Sequence, residues 1–348
     1  MKKSTFAILM AFITFVVGVG LARISLTQHP TQRIKTDFNA GNYRLSGPFQ
    51  YENLTIFLVH GPDQPGARIF TPLQEAMERN QVIVHETSEV NELAIENISN
   101  SEVFVQSGDI VKGGRQDRVL AVDLILSARS GEIPISAFCV EHGRWTQRGA
   151  EPAGVFDKSD QMIATKRLKL AARQELSQAH VWNEVEATQG KLSYSVSGFA
   201  RSTESESSLQ LALENEGVQK SVRVYMDKLS SIVEGHSDVI GFVFAINDQL
   251  NSGDVYSSQA LFKRFWPRLL KTAATEAVVE RQTNEKRQPV SIASTADFLI
   301  SSERGTETID EVTKRTHMLK SDGEKTVFFE TRDMDQKGQW VHRNYLMK

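Results

Sequence analysis

Two hydrophobic periodicities divide this chain near residue 150. Before that point the apolar residues come in short runs, at 54–60, 82–85, 93–98, 103–106, 119–126 and 133–140, separated by Gly-Pro, Asn-Ser and Ser-Gly breaks. Short apolar runs bounded by turn formers predict strands. Several of them are apolar on both faces, 119–126 above all, which predicts strands enclosed in a sandwich or under helices rather than a sheet open to water. The exception is 72–80, where Pro72 after Thr71 suits the start of a capped helix. Beyond residue 150 the period lengthens. Val218, Val222, Tyr225, Met226, Leu229, Ile232 and Val233 recur at helical spacings, with Gly235 as the stop. A strand is expected over 239–246, then a long helix over 258–282 with Pro267 in its first turn or at a kink. A short helix over 295–302 leads to a closing pair of strands at 326–331 and 339–346. The predicted class is α+β: a largely antiparallel β core in the N-terminal half, packed with helices from the C-terminal half and ending in a short β-meander.

The first residues change the picture from a plain globular chain to an exported one. Lys2 and Lys3 precede an apolar run over 6–21, and Gly20-Leu21-Ala22 supplies small residues at a cleavage position. Residues 1–22 read as a signal peptide, or, if uncleaved, as an N-terminal anchor that touches the membrane through 5–22; residues 23–42 read as a linker. The bulk is then periplasmic or extracellular, with a single-pass inner-membrane protein as the alternative. Removing 1–22, which carries two lysines and no acid, takes the formal charge from −3 to −5. A mildly acidic mature chain argues against nucleic acid as a partner. The basic cluster Lys166, Arg167, Lys169 and Arg173 reads as the solvated face of a helix. Cys139 is the one cysteine, so no internal disulfide can form and the fold stands on its hydrophobic core.

Candidate chemistry concentrates in 103–145. In Lys112-Gly113-Gly114-Arg115-Gln116-Asp117-Arg118 the glycines permit positive φ and a concave run of backbone N–H groups, while three cations against Asp117 leave a local charge of about +2. Such a loop suits a phosphate or carboxylate held by backbone donors and a forked arginine. The competing reading is a tight strand connection with solvated charges. The following element, 139–145, ends a strand: alternation puts Ala137, Cys139 and Glu141 on one side, and Phe138, Val140 and His142 on the other. Glu141 and Asp117 are the candidate catalytic acids or bases, and an ion pair with an arginine is the alternative role for Glu141. Arg144 and Trp145 join the loop as candidate ligand contacts. Cys139 reads as a small buried hydrophobe rather than a nucleophile, and His142 has no partner in sequence. No zinc-type His or Cys spacing, Gly-x-Ser-x-Gly elbow or phosphate-binding P-loop occurs, and nothing implies a cofactor or metal.

Four ordered motifs then point to a family. They are residues 112–118, residues 139–145, Gly241-Phe242-Val243-Phe244-Ala245-Ile246-Asn247, and the run Leu261-Phe262-Lys263-Arg264-Phe265-Trp266-Pro267-Arg268-Leu269-Leu270. Together they resemble the ARPP-type domain family, named for its association with ARG and rhodanese-phosphatase proteins. The likeness runs from about Tyr43 to the C-terminus, which implies one α+β domain over 43–348. It implies a link to bacterial conflict or signalling systems but brings no established reaction and no residue with an assigned catalytic role. Two function classes follow. One is an exported binding module for a small anionic ligand or a protein partner; the other is a hydrolase-like enzyme using Asp117 and Glu141, with Arg118 or Arg144 stabilising developing negative charge. A third reading makes the motifs fold determinants, with Arg144 and Trp145 packed and paired.

Overall fold

The change of period near residue 150 reappears in a computed structural model that describes residues 43–348 apart from 88, 145–147, 149–153, 160–162, 197 and 282–287. The expected signal or anchor segment, the linker and Trp145 lie outside the described residues. The first half carries β1 (Arg44–Tyr51), β2 (Leu54–His60), β3 (Thr71–Pro72), α1 (Leu73–Glu78), β4 (Val82–Glu86), β5 (Glu92–Asn97) and β6 (Val103–Val105). It continues with β7 (Ile110–Gly113), β8 (Arg118–Leu120), β9 (Leu124–Leu126), β10 (Glu132–Cys139) and β11 (Phe156–Lys158). The second half carries α2 (Lys166–Lys169), α3 (Gln178–Ser195), α4 (Leu209–Glu214), α5 (Glu216–Leu229), β12 (Val239–Ile246) and β13 (Gln249–Tyr256). It closes with α6 (Gln259–Val279), α7 (Ile292–Ser302), β14 (Thr306–Glu311), β15 (Thr316–Asp322), β16 (Thr326–Asp333) and β17 (Gln339–Met347).

The strands form an eight-stranded sheet in the order β1-β2-β12-β13-β17-β16-β15-β14, a six-stranded sheet β11-β7-β8-β10-β5-β4, and a three-stranded sheet β3-β6-β9. The pairings of the large sheet are antiparallel, whereas β3 and β6 run parallel. The class is α+β. At the centre of the large sheet all eight residues of β12 are buried. Phe242, Phe244 and Ile246 join the core shared with α5 and α6, while Val243 packs with Phe298 and Leu299 of α7. Fully burying a side chain of this size contributes about 1.5–3 kcal/mol. Gly241 is required for this closeness: a Cβ there would lie 2.4 Å from the carbonyl oxygen of Asp254 on β13.

The helices follow their apolar stripes. Asn215 caps α5 by accepting from the backbone of Gly217 and Val218, and Val218, Val222, Tyr225 and Leu229 are its buried residues. Ser258 caps α6, whose last two turns, from Thr272 to Val279, are buried all round. The alanines there let neighbouring elements approach on every side. No helix among the described residues is long and apolar enough to cross a membrane.

Three expectations are corrected. Residues 119–126 are not one strand: β8 and β9 belong to different sheets, and Asp123 lies between them. The Asp123 side chain accepts from Ser107 N and Thr331 Oγ1, a polar demand that a continuous ladder would not have met. Pro267 sits well inside α6 rather than in its first turn. Lys169 and Arg173 do not form a solvated face; both are buried, 3.9 Å from Asp254 and Asp123 respectively.

Candidate functional site

The segments 112–118 and 139–144 meet because β8 bridges them: it pairs with β7 on one side and with β10 on the other. Arg118 is the register partner of Cys139, and its Nη1 lies 2.7 Å from the Cys139 sulfur and 3.1 Å from Gln116 Oε1. Arg118 also lies 3.6 Å from Glu86 of β4. Burial pushes the Cys139 thiol up, against the opposing pull of Arg118, so the sulfur is held as a thiol.

The glycines serve packing. Gly113 and Gly114 both have positive φ, but a Cβ on Gly113 would meet the Val155 carbonyl at 2.5 Å and one on Gly114 the Phe156 ring at 2.4 Å. The Gly113 N–H donates to Asp117 Oδ1 at 2.8 Å, so this inward-facing donor is satisfied within the loop itself.

Asp117 and Glu141 converge, but away from solvent: each is 0% exposed. Arg148, which pattern reasoning did not single out, is the hub. Its Nη1 and Nη2 donate to Asp117 Oδ2 and Oδ1 at 2.8 and 3.1 Å, and Nη1 also reaches Glu141 Oε1 at 3.3 Å and Ser208 Oγ at 3.0 Å. Arg144 places Nε 2.8 Å from Glu141 Oε2 and donates to the carbonyls of Gly113 and Gly114, at 3.1 Å each. Ser208 donates to Asp117 Oδ2 at 2.9 Å while capping α4 through Leu211 N. Lys112 is paired with Glu214 at 2.8 Å. Arg115 alone of the loop's cations is exposed, and its backbone N–H donates to Glu86.

Lys112 and Arg118 of the loop are therefore met from outside it by Glu214 and Glu86, while Asp117 and Glu141 take up Arg144 and Arg148. The cluster ties the β7–β8 turn, the end of β10 and the start of α4 together. Among the described residues, both enclosed carboxylates are taken up by guanidiniums and hydrogen bonds, the arrangement of a buried ion-pair network.

A cavity of about 420 Å³ opens beside this cluster, lined among the described residues by His142, Trp182, Asn183, Val185, Glu186, Gln189, Arg201, Glu206 and Ser207. The His142 ring stands edge-on to Trp182 with centroids 4.4 Å apart, and its carbonyl accepts from Ser207 Oγ at 2.7 Å. Gln189 spans the Glu206 and Ser208 carbonyls at 3.1 and 2.9 Å, which fixes α3 against the irregular segment leading to α4.

Elsewhere, His342 is enclosed between Asp123 at 2.8 Å and Asp254 at 3.1 Å. Burial alone would lower its pKa, but the two carboxylates raise it above the ordinary histidine value. Two further groups bring metal-competent atoms together, His60 with His236 and Asp238, and His85 with Glu96 and Glu132. His236 and Asp238 share the loop before β12, but His60 comes from β2, and His85, Glu96 and Glu132 come from β4, β5 and β10, so neither full set shows in sequence spacing.

No curated protein matches the chain, and no solved structure does. The family model of the ARG and Rhodanese-Phosphatase-superfamily-associated Protein domain, ARPP-1, matches residues 42–346, and by that match the chain belongs to this family.

Proposed function

We propose that this protein is an exported binding module for a small ligand with one acid group, received in the cavity between α3 and the segment before α4. The reading is carried by Arg201. It is half-buried on the cavity wall and makes no hydrogen bond or ion pair among the described residues. An unpaired guanidinium that is partly shielded from water favours a carboxylate or phosphate able to take two of its donors. The volume lies in the range of small-molecule sites, and Trp182 with His142 supplies aromatic surface for a ring. Exposed Glu186 and Glu206 on the same wall oppose a polyanion, so the ligand class is a ring-bearing monoacid rather than a nucleotide. The anion-binding role expected of 112–118 passes in this reading to a site that the 139–145 segment borders through His142.

Calorimetry on the purified protein with aromatic carboxylates, inorganic phosphate and ATP tests this. An aromatic carboxylate binds, ATP does not, and Arg201→Ala weakens binding about tenfold or more, as expected for loss of a charged hydrogen bond of about 1.5–3 kcal/mol. Equal binding by Arg201→Ala, or no binding by any aromatic carboxylate, overturns the reading.

Export rests on Lys2, Lys3 and the apolar run over 6–21. In a Gram-negative host the periplasmic fraction is expected to yield a chain beginning near Arg23. Full-length chain confined to the membrane pellet would make the segment an uncleaved anchor.

A further inference from the structure

The strand β1 forms one edge of the large sheet, and it places Ser46 beside His60 at the end of β2. Ser46 Oγ lies 2.7 Å from His60 Nε2, and His60 Nδ1 lies 2.8 Å from Asp238 Oδ1. The imidazole is only 1% exposed, Ser46 is half-buried, and Asp238 is 46% exposed. The carboxylate settles the tautomer. Asp238 can only accept, so Nδ1 carries the proton and the Nε2 lone pair is left for the Ser46 hydroxyl. Arg44 Nη2 stands 3.0 Å from Nδ1, but a protonated nitrogen cannot accept, so its hydrogen bond goes to Asp238 Oδ2 at 2.7 Å. The Asp238 carboxyl is held down to about 2 by its bonds to His60 and Arg44. His236 adds an edge-on ring, with centroids 5.4 Å apart. The Arg44 guanidinium on Asp238 disfavours a cation, so the metal-competent grouping of these residues is the weaker chemistry.

A register shift separates Ser46 from Phe49 in the pairing with β2, and Gly47 has φ +120°. Such a bulge re-aims the side chains beside it and recurs next to reactive groups. The Ser–His–carboxylate relay is recognised by geometry and roles, not by residue order or local motif. That is why the absence of a Gly-x-Ser-x-Gly elbow does not bear on it.

We infer that Ser46 is an activated nucleophile, with His60 as its general base and Asp238 as the positioning residue, and that this edge of the sheet acts on small esters by acyl transfer. This site uses none of the residues lining the proposed acid-binding cavity. Ser46 Oγ bonds to the carbonyl carbon as its proton passes to His60 Nε2. The ester C–O bond then breaks, and the leaving alcohol takes that proton. Water, deprotonated by the same nitrogen, releases the acyl group as a carboxylic acid and restores the serine.

The test is the full-length protein with a fluorophosphonate probe. The Oγ–P bond forms, the P–F bond breaks, fluoride leaves and the proton goes to Nε2. Intact mass is expected to rise by one phosphonyl group, mapped by peptide sequencing to Ser46 and lost in Ser46→Ala. The labelling rate is expected to fall at least tenfold in Asp238→Asn and to recover in Asp238→Glu, which restores the carboxylate; a merely structural role would not sort these variants so. Because Asp238 is half-exposed, these substitutions leave the core intact, and melting curves check it. No adduct on wild type, an adduct on another residue, or an unchanged rate in Asp238→Asn overturns the inference.

Discussion

Arg148→Ala is expected to destabilise the protein by about 3–5 kcal/mol, the cost of leaving the buried Asp117 carboxylate without its close counter-charge. The side chain is 1% exposed and holds both Asp117 and Glu141, which are fully enclosed. Denaturant unfolding of Arg148→Ala beside Arg115→Ala measures the effect. The exposed Arg115 is expected to stay within about 0.5 kcal/mol of wild type. Adding Asp117→Asn to Arg148→Ala should return part of the loss, because it removes the carboxylate that loses its close counter-charge, whereas Glu141 keeps Arg144 at 2.8 Å. Wild-type stability in Arg148→Ala would show that the cluster does not hold the fold.

The second large effect concerns pH. His342 binds its proton more tightly in the folded protein, since Asp123 and Asp254 outweigh the burial that would lower its pKa. Its contribution is therefore complete below about 6.5, the unfolded reference, and is lost as pH rises through the higher folded value. Asp123 and Asp254 run the other way. Burial would raise both, but Arg173 and His342 hold Asp123 down, and Lys169 and His342 hold Asp254 down. Their contribution is present above about 3.9 and lost as pH falls through the lower folded values. The network thus stabilises most between roughly pH 4 and 6.5. Subtracting the His342→Gln profile from that of wild type above about pH 6.5 isolates the alkaline decline, because Asp123 and Asp254, which His342 helps to hold down, are ionised there in both proteins. A difference that grows above pH 6.5 would contradict the assignment. Asp123→Asn is expected to cost about 3–5 kcal/mol near pH 6, where Arg173 and protonated His342 lose a buried counter-charge.

Much of the candidate site was legible as a pair of segments and little of it as chemistry. The closeness of 112–118 to 139–144 follows from strands on either side of them, which hydrophobic runs announced. The ionic balance did not, because Glu86, Glu214 and Arg148 belong to other stretches of the chain, and a local count sees only Lys112, Arg115, Asp117 and Arg118. Burial changes the outcome further: a glycine-rich turn looks the same in sequence whether its donors face an anion or its own Asp117. Arg201, Trp182 and the Ser46–His60–Asp238 chain carry no spacing signal at all, since each grouping is assembled across sheet edges and loops.

The fold divides along the same line. The sequence by itself determined the class, the helix α5, the buried strand β12 and the closing pair β16–β17, because in each one face or both must leave water and the spacing of apolar residues records which. It was silent on β13, where the buried Asn251 donates to Glu276 and the buried Asp254 accepts from His342 and Asn344, side chains distant in sequence. It was silent on β14, fully exposed at the sheet edge, and on α3, whose buried face includes Thr188 and Gln189. Tertiary structure decided these, and with them the division of 119–126 between two sheets, because a hydrogen bond or ion pair from a distant residue can bury a polar side chain that local patterning assigns to water.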